Sequence, residues 1–237
     1  MTLRIERLDA GVLRLTLDRP QAANALSRAM QDALVAALAS AATDDSVRAV
    51  LLAASGGRVF SAGADLREDL GLPLVEGKAL RRALLMRSLF AVLDCPKPLI
   101  TAVRGKAVGG GAMLALLADE AILATGASIG MPEIALGMPS PIGVSIIAAR
   151  GGRGAAHRLM QANIPMDAEA ALACGLVDAV ADDVEAHALA RAAALGALDP
   201  PTFAANKRWL NRALRLSLVE AAAEAESLHA RGPSHAH

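Results

Sequence analysis

Twice in this 237-residue chain a short apolar run ends in a glycine-bearing segment that leads into a helix-like stretch. The first run, Val47 to Ala54, stops at Ser55-Gly56-Gly57 and is followed by Phe60-Ser61-Ala62-Gly63-Ala64-Asp65-Leu66. The second, Leu99 to Val103, feeds directly into Gly105-Lys106-Ala107-Val108-Gly109-Gly110-Gly111-Ala112-Met113. Runs this short, apolar throughout and bounded by turn residues, suit buried strands of a parallel sheet. A strand that turns into a helix leaves backbone N–H groups unpaired at the helix start. Two such starts converging on one point would stabilise negative charge on a carbonyl oxygen.

The alternation continues on either side. Residues 2–9 and 11–17 are apolar and β-branched runs around Asp9-Ala10-Gly11, which predicts a hairpin. Ser27 reads as the N-cap of a helix carrying Met30, Leu34, Leu38 and Ala41 on one face. A second helix is predicted from Glu76 to about Asp94, with Leu80, Leu84, Leu85, Leu89, Val92 and Leu93 along one side, stopped by Pro96 and Pro98. A helix around Met113 to Leu117 precedes Glu120 to Ala124 and then Ile129-Gly130-Met131-Pro132-Glu133. From about Ile142 the pattern turns helical, with Asp167 as an N-cap, Gly175 as a stop and a short strand near Leu176 to Val180. Two long helices, Val184 to Leu198 and Thr202 to Leu228, flank Pro200-Pro201. The whole predicts an α/β core over residues 1–195 and a helical C-terminal module over residues 196–237, with a frayed tail from His229 to His237.

Composition removes several classes of function. With 24 basic and 24 acidic residues the net charge is zero, which gives no support to a nucleic-acid or membrane-surface partner. No apolar stretch of about 18 residues free of charge or glycine occurs, so no membrane span is predicted. Charges among Met1-Thr2-Leu3-Arg4-Ile5-Glu6-Arg7 sit where a signal peptide needs its apolar region, and a cytoplasmic location is the default. Cys95 and Cys174 lack metal-ligand spacing and read as reduced, packed thiols; no metal is expected.

The glycines fit no common phosphate loop. Gly109-x-Gly111 is followed by Leu114, so the dinucleotide fingerprint lacks its third glycine, and no Walker sequence exists. Ser61 is not in a nucleophile elbow, and no histidine comes with a recognisable nucleophile partner. Close packing of a helix on a strand would by itself account for a triple glycine.

The ordered set of motifs resembles the crotonase superfamily, the enoyl-CoA hydratase and isomerase family. The match comprises Asp18-Arg19-Pro20 with Asn24-Ala25-Leu26-Ser27, Phe60 to Leu66, Pro96-Lys97-Pro98-Leu99-Ile100-Thr101-Ala102-Val103, Gly105 to Gly111, Pro132-Glu133 with Leu136-Gly137, and Ala168 to Val177. The resemblance implies a crotonase-like spiral of ββα units with a helical C-terminal module, acting on acyl-CoA thioesters in the manner of fatty acid metabolism. It implies no separate cofactor, coenzyme A being part of the substrate, and assembly as a homotrimer or a dimer of trimers. Backbone N–H groups of Ala64 and Gly110 would hold the thioester oxygen as an oxyanion hole. The Ala62 carbonyl would meet the adenine amino group, Asp65 and Leu66 would flank that pocket, and Arg67 falls where a basic residue approaches a coenzyme A phosphate.

A thioester enolate places charge on oxygen, where two fixed donors can receive it, and a carboxylate must then move the α-proton. Glu133 is the candidate, since it lies in an otherwise apolar stretch whose desolvation would raise its pKa. The departure from the family pattern is Met113, which stands where hydratases carry a second glutamate. Single-glutamate, isomerase-type proton transfer is therefore favoured, with two alternatives open: a hydratase with atypical acid/base chemistry, and a catalytically weak acyl-CoA-binding subunit. The chain has no tyrosine, and Pro141 stands where dienoyl isomerases of the family place an aspartate. The helical stretch that commonly follows the equivalent of Leu228 is missing, which implies weak coenzyme A affinity or a site completed by a neighbouring subunit.

Overall fold

The computed structural model describes residues 2–230. The chain opens with an antiparallel hairpin, β1 (Leu3–Arg7) and β2 (Val12–Leu17), joined through Ala10 and Gly11 at positive φ. Helix α1 (Arg28–Thr43) is capped by Ser27, whose Oγ accepts from the Met30 N–H at 3.3 Å. It buries Met30, Leu34, Leu38 and Ala41 at the predicted spacing. Next come β3 (Ala49–Ala54), β4 (Val59–Ser61), α2 (Leu74–Leu93), β5 (Leu99–Val103), β6 (Lys106–Val108), α3 (Gly110–Leu116), β7 (Glu120–Ala124) and β8 (Ser128–Gly130). A short 3₁₀ turn at Pro132–Leu136 leads to α4 (Pro141–Ala156), which runs into a π-type turn at His157–Gln161. Then β9 (Met166–Asp167), α5 (Ala168–Ala173), β10 (Ala179–Ala181), α6 (Val184–Gly196), α7 (Pro200–Leu210) and α8 (Arg212–Ala230) complete the described chain.

Two sheets organise these elements. The larger has the order β1-β2-β3-β5-β7-β10 and is parallel except at β1–β2; the smaller has the order β4-β6-β8-β9 and is parallel except at β8–β9. Every residue of β3 and β5 is buried, because α-helices and the second sheet cover both faces, as continuous apolar runs require. Each of the two apolar runs therefore belongs to the large sheet, and each glycine segment begins in the small one. The units β3-β4-α2, β5-β6-α3 and β7-β8-α4 repeat one another, giving the expected spiral of ββα units followed by C-terminal helices.

Several predicted boundaries move, for identifiable reasons. Leu176 and Val177 are buried, but their N–H groups donate to Ala171 O at 2.9 and 3.4 Å and so close the end of α5. Pairing with β7 therefore starts only at Ala179. The long helix expected from Thr202 to Leu228 is two helices, broken at Asn211, whose ψ of −3° lies about 40° from the helical value. Pro200 and Pro201 sit inside the first turn of α7, where a missing N–H costs nothing, under an Asp199 cap that accepts from Thr202 N–H at 2.9 Å. Helix α8 continues to Ala230, and the rest of the expected frayed tail lies outside the described residues. Cys95 is a buried free thiol as read from the sequence, but Cys174, just beyond the short α5, is exposed.

Helix α7 is anchored through charge. Lys207, only 5% exposed, donates from Nζ to Asp119 Oδ2 at 2.6 Å and to Lys97 O at 3.2 Å. The same Asp119 oxygen accepts from Leu99 N–H at 2.8 Å, so one carboxylate ties α7 to the starts of β5 and β7. Burial pushes the Asp119 carboxyl above its ordinary pKa, with Lys207 pulling against it. Among the described residues no helix is long and apolar enough to cross a membrane.

Candidate active site

The two glycine segments meet where β4 and β6 pair. A register irregularity between Val59 and Ser61 re-aims the chain just before the first segment. Leu26 then bridges to Ala64 from the side: Leu26 N–H donates to Gly63 O at 2.8 Å and Asp65 N–H donates to Leu26 O at 3.3 Å. Because strand groups alternate in direction, the Ala64 N–H points away from Leu26. Gly110 opens α3, so its N–H has no acceptor within the helix. The two backbones come so close that a Cβ on Gly63 would lie 3.1 Å from Gly110 N and 2.9 Å from Val108 O. The donors expected at Ala64 and Gly110 thus belong to two loops in direct contact.

The three consecutive glycines are required for different reasons. Gly109 has φ 52° and ψ −124°, a conformation closed to other residues, and a Cβ there would lie 3.0 Å from Glu133 Oε1. A Cβ on Gly110 would meet Leu85 Cδ1 at 3.1 Å. One on Gly111 would lie 2.5 Å from Ser61 Cβ, so this position is the close helix-on-strand contact that a triple glycine suggests without any chemistry.

Glu133 stands beside this junction, in the 3₁₀ turn that follows β8. It is 8% exposed, its Oε1 faces Gly109, and its Oε2 is buried with no hydrogen-bond partner among the described residues. Burial pushes its carboxyl above the ordinary pKa, and its own backbone N–H offsets only part of that. A carboxylate that is buried without a compensating donor is a strengthened base. A cavity of about 310 Å³ has Glu133 in its lining, together with Ile134, Met138, Pro139, Val144, Met160 and Gln161.

The residues expected along the coenzyme A side lie on the loop after β4. Ala62 and Leu66 are exposed, the latter 62%. Arg67 is exposed and forms no ion pair among the described residues. Asp65 is turned inward: its carboxylate accepts from Arg19 Nη1 at 2.9 Å and from Arg67 N–H at 3.1 Å. Burial alone would push this carboxyl up, but the Arg19 guanidinium and the loop N–H groups outweigh it and hold the pKa below the ordinary value.

Arg19 and Asn24, part of the motif set but with no chemical role of their own, position this loop. Asn24, fully buried at φ 50°, accepts from Arg19 N–H at 2.8 Å and donates to Ser55 O at 2.9 Å and Val59 O at 3.0 Å. Its carbonyl accepts from Ser61 Oγ at 2.8 Å. Together Arg19 and Asn24 hold both ends of the segment that presents Ala64.

Met113 is 3% exposed and directs its methyl toward Gly143 in the first turn of α4. With Asp65 paired to Arg19, Glu133 is the carboxylate beside the two glycine loops that has no ion pair among the described residues. Glu120 is committed elsewhere, to a two-contact pair with Arg191 at 2.8 and 2.5 Å.

A family model for enoyl-CoA hydratase/isomerase matches residues 7–237. The chain belongs to the enoyl-CoA hydratase/isomerase family. Among curated members of this family, the 2,3-dehydroadipyl-CoA hydratase of Escherichia coli (strain K12) is 36% identical over 225 residues, covering 92% of this chain and 85% of that protein. The crystal structure of an enoyl-CoA hydratase from Bacillus anthracis superposes with a TM-score of 0.85 at 27% identity, covering 99% of this chain and 92% of the other. An enoyl-CoA hydratase/isomerase from Xanthobacter autotrophicus Py2 gives a TM-score of 0.83 at 31% identity, covering 96% and 86%.

Proposed function

We propose that this member of the family moves a double bond within an acyl-CoA thioester by single-glutamate proton transfer. The observation that carries this reading is the pairing of Glu133, buried with an unpartnered Oε2, with a buried methionine, Met113, at the position expected for a second acid. The thioester oxygen is held by the N–H groups of Ala64 and Gly110. Glu133 removes an α-proton from a 3-enoyl thioester; the electron pair delocalises onto the thioester oxygen as an enolate. Glu133 then returns the proton to the γ-carbon, leaving the 2-enoyl isomer and the carboxylate as it began. Charge developing on oxygen is worth about 3 to 4 kcal/mol per donor in such a pocket.

Coenzyme A is taken as part of the substrate along Ala62, Leu66 and Arg67, with Asp65 shaping that loop through Arg19. A cytoplasmic trimer or dimer of trimers completes the proposal, with residues 196–237 as the assembling module. Trp209 and Leu210, 74% and 81% exposed on α7, support an apolar contact there. Sedimentation as a monomer at micromolar concentration would count against the assembly.

A hydratase is the second reading, favoured by the name of the Escherichia coli relative. One assay separates them: incubation with 2-enoyl and 3-enoyl thioesters in deuterated water, following conjugated-thioester absorbance and deuterium at the α- and γ-carbons. Isomerisation with α-exchange supports the proposal, net hydration of the 2-enoyl substrate supports the alternative, and binding with neither signal identifies a silent acyl-CoA-binding subunit.

A further inference from the structure

The wall of the Glu133 cavity runs from the 3₁₀ turn at Glu133 and Ile134 through Met138 and Pro139, and is completed by two further short pieces of chain. Ser140 and Val144 come from the start of α4, and Met160 and Gln161 from the π-type turn at its end. Gly143 lies between the two α4 wall residues and has no side chain to offer. Three methionine methyls gather on the space a side chain would need: a Cβ on Gly143 would lie 2.8 Å from Met131 Cε and 3.0 Å from both Met113 Cε and Met160 Cε. Of the three, only Met160 also lines the cavity. Behind it stand Met113 and Met131, 3% and 2% exposed.

The end of a methionine side chain is flexible and yields, whereas backbone does not. Gly143 therefore gives the Met160 methyl somewhere to rest outside the cavity. Filling that position drives the methyl back toward Glu133; shortening Met160 opens the cavity onto the methionine cluster. The apolar character of everything behind the wall, Met113 included, means that extra depth would receive hydrocarbon.

We propose that Met160, seated against Gly143, is a specificity-determining residue that limits the depth of the acyl cavity and so biases it toward shorter enoyl thioesters. This inference rests on the reading of the Glu133 cavity as the acyl site. One or two methylenes in an apolar pocket change specificity by about 10-fold or more, so the effect is measurable.

The test is the ratio of kcat/KM for an eight-carbon over a four-carbon 3-enoyl-CoA, in wild type, Met160→Ala, Gly143→Ala and the double variant. The expected result is a ratio raised about 10-fold by Met160→Ala and lowered about 3-fold or more by Gly143→Ala. In the double variant the ratio follows Met160→Ala, because the displaced methyl is gone. Calorimetric affinities for butanoyl-CoA and octanoyl-CoA should move in the same sense, and Met160→Val provides a milder truncation should the alanine variant fold poorly. An active wild type whose ratio is unmoved by Met160→Ala and Met160→Val, or a double variant that follows Gly143→Ala, overturns the role of Met160 alone. A wild type that exchanges no α-proton at any chain length overturns the acyl-site reading and this inference with it.

Discussion

Replacing Glu133 by glutamine should make the protein more stable at neutral pH and inactive. In the native state Oε2 is buried without a partner among the described residues, in a residue that is 8% exposed, and burial raises the carboxyl pKa. A buried polar group left unpaired costs about 1–3 kcal/mol, and a charged one more. Glutamine keeps an amide to be satisfied, so the net gain is about 1 kcal/mol, or roughly 2–4 °C in Tm for a chain of this size. The sign with pH follows from linkage. A folded-state pKa raised above the unfolded one means that the native protein holds this proton more tightly. Its favourable contribution is complete below the unfolded carboxylate range and is lost as pH rises through the folded pKa. Wild type and Glu133→Gln should therefore unfold together near about pH 4, and the variant should pull ahead toward neutrality. Exchange of the substrate α-proton should fall by about 10²- to 10⁴-fold over the same range. Thermal unfolding across a pH series, with deuterium uptake on the same samples, reads both. A variant no more stable at neutral pH, or an advantage that grows toward acid, would refute the argument from burial; unchanged exchange would remove Glu133 from the chemistry.

Three other substitutions probe separate features. Gly109→Ala forces a side chain into φ 52° and ψ −124° and within 3.0 Å of Glu133 Oε1; it should cost about 1–3 kcal/mol in denaturant unfolding and, by displacing the base, roughly 10²-fold in proton exchange. Met113→Glu places a second carboxylate at the position where the family resemblance implies one in hydratases; loss of 2-enoyl absorbance through hydration should appear together with a lowered Tm, and hydration no faster than wild type would show that more than this side chain is missing. Lys207→Met leaves Asp119 buried without its cation and should cost about 3–5 kcal/mol in urea unfolding, part of which a second change, Asp119→Asn, recovers.

What could be read from the sequence depended on how far apart the interacting residues are. β3 and β5 were legible because burial on both faces writes an unbroken apolar run, and α1 because its cap and its buried stripe lie within one segment. The strand at Ala179–Ala181 was misplaced because Leu176 and Val177 are as apolar as a strand yet spend their N–H groups on closing α5. The clamp of Asn24 on Ser55 and Val59 spans more than 30 positions, and the methionines at Gly143 arrive from the residue after β8, from α3 and from the π-type turn, which share no local pattern. Glu133 was legible by its apolar neighbours, whereas its approach to Gly109 exists only once β6 and β8 pair.

The tie between Lys207 and Asp119 also has a bearing on how the chain is made. Synthesis runs from the N-terminus, so both sheets emerge from the ribosome before α7 does. Until then Asp119 has no ammonium group to meet, and the carboxylate at the root of β5 and β7 must stay hydrated rather than sealed. The ion pair that seals the ends of β5 and β7 can therefore form only after residue 207 has left the exit tunnel, so this tie is added to a sheet already made.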